Sequence, residues 1–207
     1  MKKIAIVGAS GHGKVVADLA ELCGFEVTFF DDAYPQRQNV THWTVAGSFA
    51  DLLNQQQKYS CAIVAIGNNP IRMKLSKQLS EKGFTLPTLV HPKAVISQYA
   101  SINNGSVVFA YVVVNAFAQI GSNCIINTAA VVEHDCVLGD GVHLSPNVAL
   151  AGGTVVGDYC WLGIGTVTLQ LARVGNNSIV GANSTVIKDI PADVTAIGSP
   201  AKVIKKA

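Results

Sequence analysis

From residue 90 onward the chain places an aliphatic residue at every sixth position: Val90, Ile96, Ile102, Val108, Val114, Ile120, Ile126, Val132, Leu138, Leu144, Leu150, Val156, Leu162, Thr168, Val174, Val180 and Val186. Sixteen of these seventeen positions are Val, Ile or Leu; Thr168 is the exception. Four residues after each runs a second series of small or β-branched residues, including Ala118, Cys124, Ala130, Cys136, Thr154, Cys160 and Ser178. Neither an amphipathic helix nor a simple strand has this period. An uninterrupted hexapeptide repeat predicts a parallel β-helix, because a triangular coil needs an aliphatic residue on each flat side and a small one near each corner. At three hexads a turn, seventeen hexads make between five and six coils. The repeat alone leaves the handedness open.

The first ninety residues follow another rhythm. Residues 3–7, 26–30, 61–66 and 86–90 read as strands. Between them lie helical patterns at 14–23, with Val15, Val16, Leu19 and Leu22 assigned to one face, at 48–57 with Ser48 as N-cap, and from the turn at 67–70 to about Lys82. Strands separated by helices imply a parallel α/β sheet. The expected organisation is an α/β, Rossmann-like domain over residues 1–89 followed by a β-helix over 90–207.

Composition narrows the function. Charged residues make up only 14% of the chain, against about 25% in ordinary globular proteins. Such a surface is kept soluble more easily when part of it is buried between subunits, so an oligomer is expected. The net charge of +2, with no basic cluster longer than Lys2-Lys3 or Lys205-Lys206, speaks against nucleic acid as a partner. The apolar run at 4–9 is too short for a signal peptide, and no uncharged apolar stretch has membrane-spanning length. Five widely spaced cysteines form no CxxC pair and no zinc pattern; a reduced, cytoplasmic protein without membrane insertion is expected.

Candidate chemistry lies where the repeat leaves slots free. In "VVEHDCVLGDGVHLS", residues 131–145, the interior positions are Val132, Cys136, Leu138, Val142 and Leu144. His134 belongs to neither interior series, so it is a surface histidine or a functional one. An imidazole titrating near neutrality suits a general base that takes a proton from an attacking amine or hydroxyl. Glu133 and Asp135 are both candidates to orient it, and alternation along an extended coil sends both the same way. His143 also lies outside the interior series. His134 and His143, with His91 at the first hexad, show no third ligand at plausible spacing, so no metal is expected. At the other end, Gly8, Gly11 and Gly13 form G-x-x-G-x-G between a strand and a helix, where backbone N–H groups and the helix N-terminus favour phosphate. Asp31-Asp32 closes the second strand, where such folds place an acid near ribose. Gly67, after the third strand, is a weaker candidate for the same site. Lys14 either neutralises a diphosphate or is solvated.

Taken with the closing Ile197-Gly198-Ser199-Pro200-Ala201-Lys202, these motifs resemble the hexapeptide-repeat sugar acetyltransferases of the bacillosamine and sialic-acid type over essentially the full chain. Within that group the chain looks closest to the enzymes that N-acetylate UDP-linked 4-amino sugars. The resemblance implies a left-handed β-helix and a homotrimer with inter-subunit active sites, acetyl-CoA lying in the groove between neighbouring helices. It implies His134 as catalytic base with Asp135 as its helper, the family motif placing its acid directly after the histidine. It further implies Ser10, Gly11, His12, Asp31, Asp32 and Gly67 as binders of a UDP-amino-sugar. His143, Gly152, Ile164, Gly181 and the 198–202 tail are implied as contacts of acetyl-CoA. O-acetylation of a sialic-acid-type sugar is the rival within the enzyme class, and a non-catalytic nucleotide-binding trimeric scaffold the rival outside it.

Overall fold

The computed structural model describes residues 2–59 and 61–206, and separates into two compact units, the first ending at His91 and the second beginning at Pro92. In chain order the first unit contains β1 (Lys2–Val7), α1 (Gly11–Leu22), β2 (Phe25–Phe30), β3 (Asn39–Val40), β4 (Trp43–Thr44), α2 (Phe49–Leu53), β5 (Cys61–Val64) and α3 (Asn69–Glu81). β1 is central in a parallel sheet of order β2-β1-β5, and single bridges Phe29–Val45 and Cys61–Thr85 extend it on both sides. Ile4, Ala5 and Ile6 have no exposed surface, as expected of a parallel strand covered on both faces.

α1 starts three residues earlier than the pattern predicts, and a different face turns inward. Gly13, Val16, Ala17, Leu19 and Ala20 are buried, whereas Val15 and Leu22 are about half exposed (47% and 52%). Gly13 sets this rotation: a Cβ there would meet the Gly8 carbonyl oxygen, so the helix rests its bare backbone on the β1–α1 turn. Ser48 caps α2 in a capping box with Asp51, whose carboxyl is held below its ordinary value by the Ser48 hydrogen bonds. The helix ends at Leu53 rather than Gln57, since no further apolar residue follows until Tyr59. The last strand of this unit is only Leu89–Val90.

The second unit is a parallel β-solenoid. Each hexad forms a two-residue strand and a turn, and strands stack 18 residues apart, Val113 on Val131 and Val131 on Ala149. Three sheets result: one through 95–96, 113–114, 131–132, 149–150, 167–168 and 185–186; a second through 101–102 to 173–174; a third through 107–108 to 179–180, continued by Val194–Ile197. The aliphatic series from Val108 to Val186 points inward and is buried, as is the small-residue series from Ser106 to Ser184. Ile96 and Ile102 are only half buried because they lie in the first coil.

Every sixth residue from Gly105 to Asn183 has positive φ. Some of these are Gly or Asn, but Tyr111, Phe117, Ala129, Asp135, Tyr159 and Leu171 adopt the same left-handed conformation. That conformation costs an ordinary L-residue roughly 1–2 kcal/mol, so the stacked interior, not local preference, holds these corners. Asn177 is one of them; in the 103–105 turn the left-handed residue is Gly105 rather than Asn103 or Asn104. Along one edge the side chains of Asp140, Asp158 and Asn176 accept from the amides of Ser122, Asp140 and Asp158, stapling successive coils.

Candidate active site

His134 and Asp135 are the two turn residues between the first and second faces. Because Asp135 has φ 59, the strand's alternation is broken there, and its side chain swings beside the preceding one. His134 Nδ1 lies 2.8 Å from Asp135 Oδ2. Glu133, just past the strand, instead accepts a long 3.4 Å bond from the His134 main-chain N–H. The contact with Asp135 assigns the proton to Nδ1 and leaves Nε2 as the free acceptor. The ring stacks over Gly152 of the next coil, where a Cβ would sit 2.6 Å from both Cε1 and Nε2. Main-chain bonds fix the corner: Gly153 N–H donates to His134 O (2.9 Å) and Asp135 N–H to Ala116 O (3.1 Å).

On the third face a cleft of about 400 Å³ is lined by His143, Ser145, Pro146, Trp161, Gly163, Ile164 and residues 179–182. The His143 and Trp161 rings stack at 5.7 Å and 13°, and Trp161 Nε1–H donates to Ser145 Oγ at 2.9 Å. Three of the four residues assigned to the acyl donor, His143, Ile164 and Gly181, thus share one apolar cleft; Gly152 lies instead against His134. Trp161 was missed, although the repeat contains it: it occupies the outward slot before Leu162, one coil beyond His143 before Leu144. Cys136 and Cys160 are poor nucleophiles, since burial pushes Cys160 up to about 11 and raises Cys136.

The first unit holds a polar pocket of about 340 Å³ lined by Ala9, Ser10, Gly11, Lys14, Arg37, Asn39, Val40 and Thr41. Ser10 is the N-cap of α1 and its side chain makes no cap bond, and with Gly11 it brings the N-terminus of the helix to the pocket wall. Asp31 stands behind this wall: its carboxylate accepts from Ala9 N–H (2.6 Å) and Ala33 N–H (2.9 Å), while Arg37 Nη1 donates to Ala9 O (2.8 Å). Asp32 accepts from Phe49 N–H at the start of α2 (3.0 Å). Of the six residues assigned to the acceptor, Ser10 and Gly11 line this pocket, and His12, Asp31, Asp32 and Gly67 do not. Arg37, Asn39 and Thr41 come from a segment without a motif and were not legible.

His12 and Gly67 gather around a buried arginine of α3. Arg72, 2% exposed, donates to Ile66 O (2.9 Å), Gly67 O (3.2 Å) and Asn69 Oδ1 (2.9 Å). Burial, reinforced by the Arg72 guanidinium, pushes His12 down to about 4, so near neutrality its imidazole is uncharged. The unfolded chain binds this proton near the ordinary histidine value of 6.5, the native chain only near 4. Stability from this group is therefore complete above about 6.5 and is lost as pH falls through that window. In thermal unfolding between pH 7.5 and 4.5, His12→Gln is expected to lose less stability on acidification than the parent. Parallel curves would refute the assignment.

Among the described residues no group of three or more His, Cys, Asp or Glu is arranged to hold a metal, and no helix is long and apolar enough to cross a membrane.

A parallel β-solenoid carrying a histidine–aspartate pair on one corner, preceded in the chain by an α/β unit with a polar pocket at its glycine turn, defines a hexapeptide-repeat protein. The comparisons agree unit by unit: residues 3–79 match the PglD N-terminal domain, and 117–152 the bacterial transferase hexapeptide (six repeats). A histidine mutant of perosamine N-acetyltransferase from Caulobacter crescentus, in complex with CoA and GDP-perosamine, is 39% identical at a TM-score of 0.95, with 100% of this chain and 98% of that one covered. The acetyltransferase domain of PglB from Neisseria gonorrhoeae, in complex with acetyl coenzyme A, is 40% identical at a TM-score of 0.94, with 98% and 99% covered. UDP-N-acetylbacillosamine N-acetyltransferase of Bacillus subtilis is 38% identical over 113 residues, 53% of this chain, which thus spans about half (52%) of that relative's length. The chain belongs to the hexapeptide-repeat sugar N-acetyltransferase family.

Proposed function

We propose that the protein transfers the acetyl group of acetyl-CoA to the 4-amino group of a UDP-linked amino-dideoxy sugar, with His134 as general base. The observation that carries this reading is the 2.8 Å contact between His134 Nδ1 and Asp135 Oδ2 on an exposed corner. It leaves Nε2 to take the proton as a neutral amine attacks the thioester carbonyl; the tetrahedral adduct then collapses, expelling CoA thiolate, which is protonated. Asp135 holds the ring and balances the charge of the imidazolium. Lys14, Arg37 and the N-terminus of α1 supply the polar pocket with the chemistry for a nucleotide diphosphate. The apolar cleft at His143 and Trp161 suits the pantetheine arm and acetyl group.

The triangular cross-section bears on the assembly. A corner between the first and second faces is opposite the third, so one chain does not bring its own His134 to its own cleft. A homotrimer in which the corner of one subunit meets the cleft of the next completes the site. The outward column Val95, Val113, Val131, Ala149 and Val167, with Val95 65% exposed, gives such an assembly an apolar seam.

The reaction is tested by following CoA thiol release with UDP-4-amino sugars, the corresponding GDP-sugars, CMP-sialate and free amino sugars. The 4-amino nucleotide sugars are expected to accelerate release most; acceleration by CMP-sialate alone would replace the reading with O-acetylation, and none at all would remove it. The assembly is tested by mixing. Homo-oligomers of His134→Ala and of Trp161→Asp are each expected to be inactive. Subunits exchanged between them should regain activity, because some sites then pair an intact corner with an intact cleft. Mixtures as inactive as their parents would exclude a shared site.

A further inference from the structure

Thr168, the one break in the aliphatic series, is buried (7% exposed) in the coil next to Gly152, and it alters the main chain there. On the first face each coil normally donates a second ladder bond to the main-chain oxygen of the next coil's aliphatic residue: Ser97 N–H to Val114 O, Asn115 to Val132, Glu133 to Leu150 and Leu169 to Val186. At the remaining step, Ala151 N–H donates to the Thr168 side chain, Oγ1, at 3.0 Å. Strand pairing shortens accordingly: Ala149 pairs with Val167, and the 150–168 pair is lost. The Ala151 carbonyl is held as well, accepting from Thr154 Oγ1 (2.7 Å) and Cys136 Sγ (3.3 Å). The two threonine hydroxyls are 2.8 Å apart. Each hydroxyl has one proton. With Thr154 donating to Ala151 O, Thr168 donates to Thr154 and accepts from Ala151 N–H, which closes the ring of bonds.

The next residue is Gly152, whose bare Cα backs the His134 imidazole. We propose that Thr168, with Thr154, is a positioning residue for His134: by replacing a ladder bond with a side-chain bond it sets the 151–152 corner at the depth the ring requires. The proposal rests on the reading of His134 as base. An aliphatic residue at 168 would complete the hexapeptide pattern and let Ala151 N–H return to the main-chain oxygen, moving the corner against the ring and the ring relative to Asp135.

The test compares Thr168→Val, Thr168→Ser and Thr154→Val in the full-length protein. Thr168→Val is expected to lower kcat about 10-fold at unchanged KM for both substrates, with unfolding temperature kept within a few degrees. The midpoint of its kcat/KM–pH profile should move, because the ring no longer meets Asp135 as before. Thr168→Ser retains the hydroxyl and is expected to keep the parent's kcat and profile, and Thr154→Val to fall between. Full activity with an unshifted profile in Thr168→Val overturns the proposal, and so does a Thr168→Ser that is as impaired as Thr168→Val. His134→Ala separates the two claims: if that variant stays active, the base assignment fails, whereas an inactive His134→Ala beside an unaffected Thr168→Val sinks the positioning role alone.

Discussion

Replacing His134 by Ala is expected to lower kcat by about 10²- to 10⁴-fold, the range for a positioned general base. The fold should be untouched. The side chain is 63% exposed, its ring bonds to Asp135, and the main-chain bond from Gly153 N–H to His134 O does not depend on it. The chemistry explains the size of the loss. An amine attacking a thioester must shed a proton as the tetrahedral adduct forms, and without Nε2 that proton goes to water with no oriented acceptor. Asp135→Asn keeps the shape but loses the anion that balances the imidazolium, and should cost less, about 10-fold. Glu133→Gln should cost little, since Glu133 meets only a main-chain N–H at 3.4 Å. Steady-state kinetics on the three variants, with circular dichroism to establish folding, would check the order. A Glu133→Gln variant more impaired than Asp135→Asn would reverse the assignment.

The second large effect is expected from Gly152→Ala. A methyl group there would lie 2.6 Å from Cε1 and Nε2 of His134, well inside van der Waals contact. The neighbour is an exposed side chain rather than backbone, so the ring gives way and the fold does not. It has to leave both its seat and its bond to Asp135, and a displacement of roughly 1 Å in a reacting group can cost about 100-fold. We expect kcat to fall between about 10- and 100-fold, with an unfolding temperature close to the parent's. The decisive arm is the double variant: adding Gly152→Ala to His134→Ala should cause no further loss, because the glycine acts only through the histidine. An additive loss would show that Gly152 meets a substrate directly, as the resemblance to the acetyltransferases implies for it.

The hexads allowed the solenoid to be laid out residue by residue, because a parallel coil repeats its demands every six positions, whatever the rest of the chain does. Inward aliphatic residues, small corner residues and the slot left to His134 all follow from that spacing. The sheet strands and helices of the α/β unit were legible to within a few residues for the same reason, alternating periods marking strands and helices locally, but the short β3–β4 hairpin was not. The face of α1 was not. Val15 and Leu22 are as apolar as Val16 and Leu19, and only the seating of Gly13 on the Gly8 carbonyl oxygen selects among them. The polar pocket was half legible. Its glycine turn has a motif, but Arg37, Asn39 and Thr41 are brought to it by the fold of a loop without one.

What the chain's order of residues determined by itself is the scaffold and the presence of a histidine between two acids outside it. The choice between those acids was a tertiary matter. Strand alternation treats Glu133 and Asp135 alike, and it is the left-handed turn at Asp135, imposed by stacking 18 residues away in either direction, that rotates one carboxylate onto the imidazole. The same stacking put Gly152 under the ring and turned Thr168 from a lapse in the repeat into a hydrogen-bonding partner of the corner. Period is a property of neighbours along the chain. The direction of a side chain at a corner depends on coils that only the folded solenoid brings together.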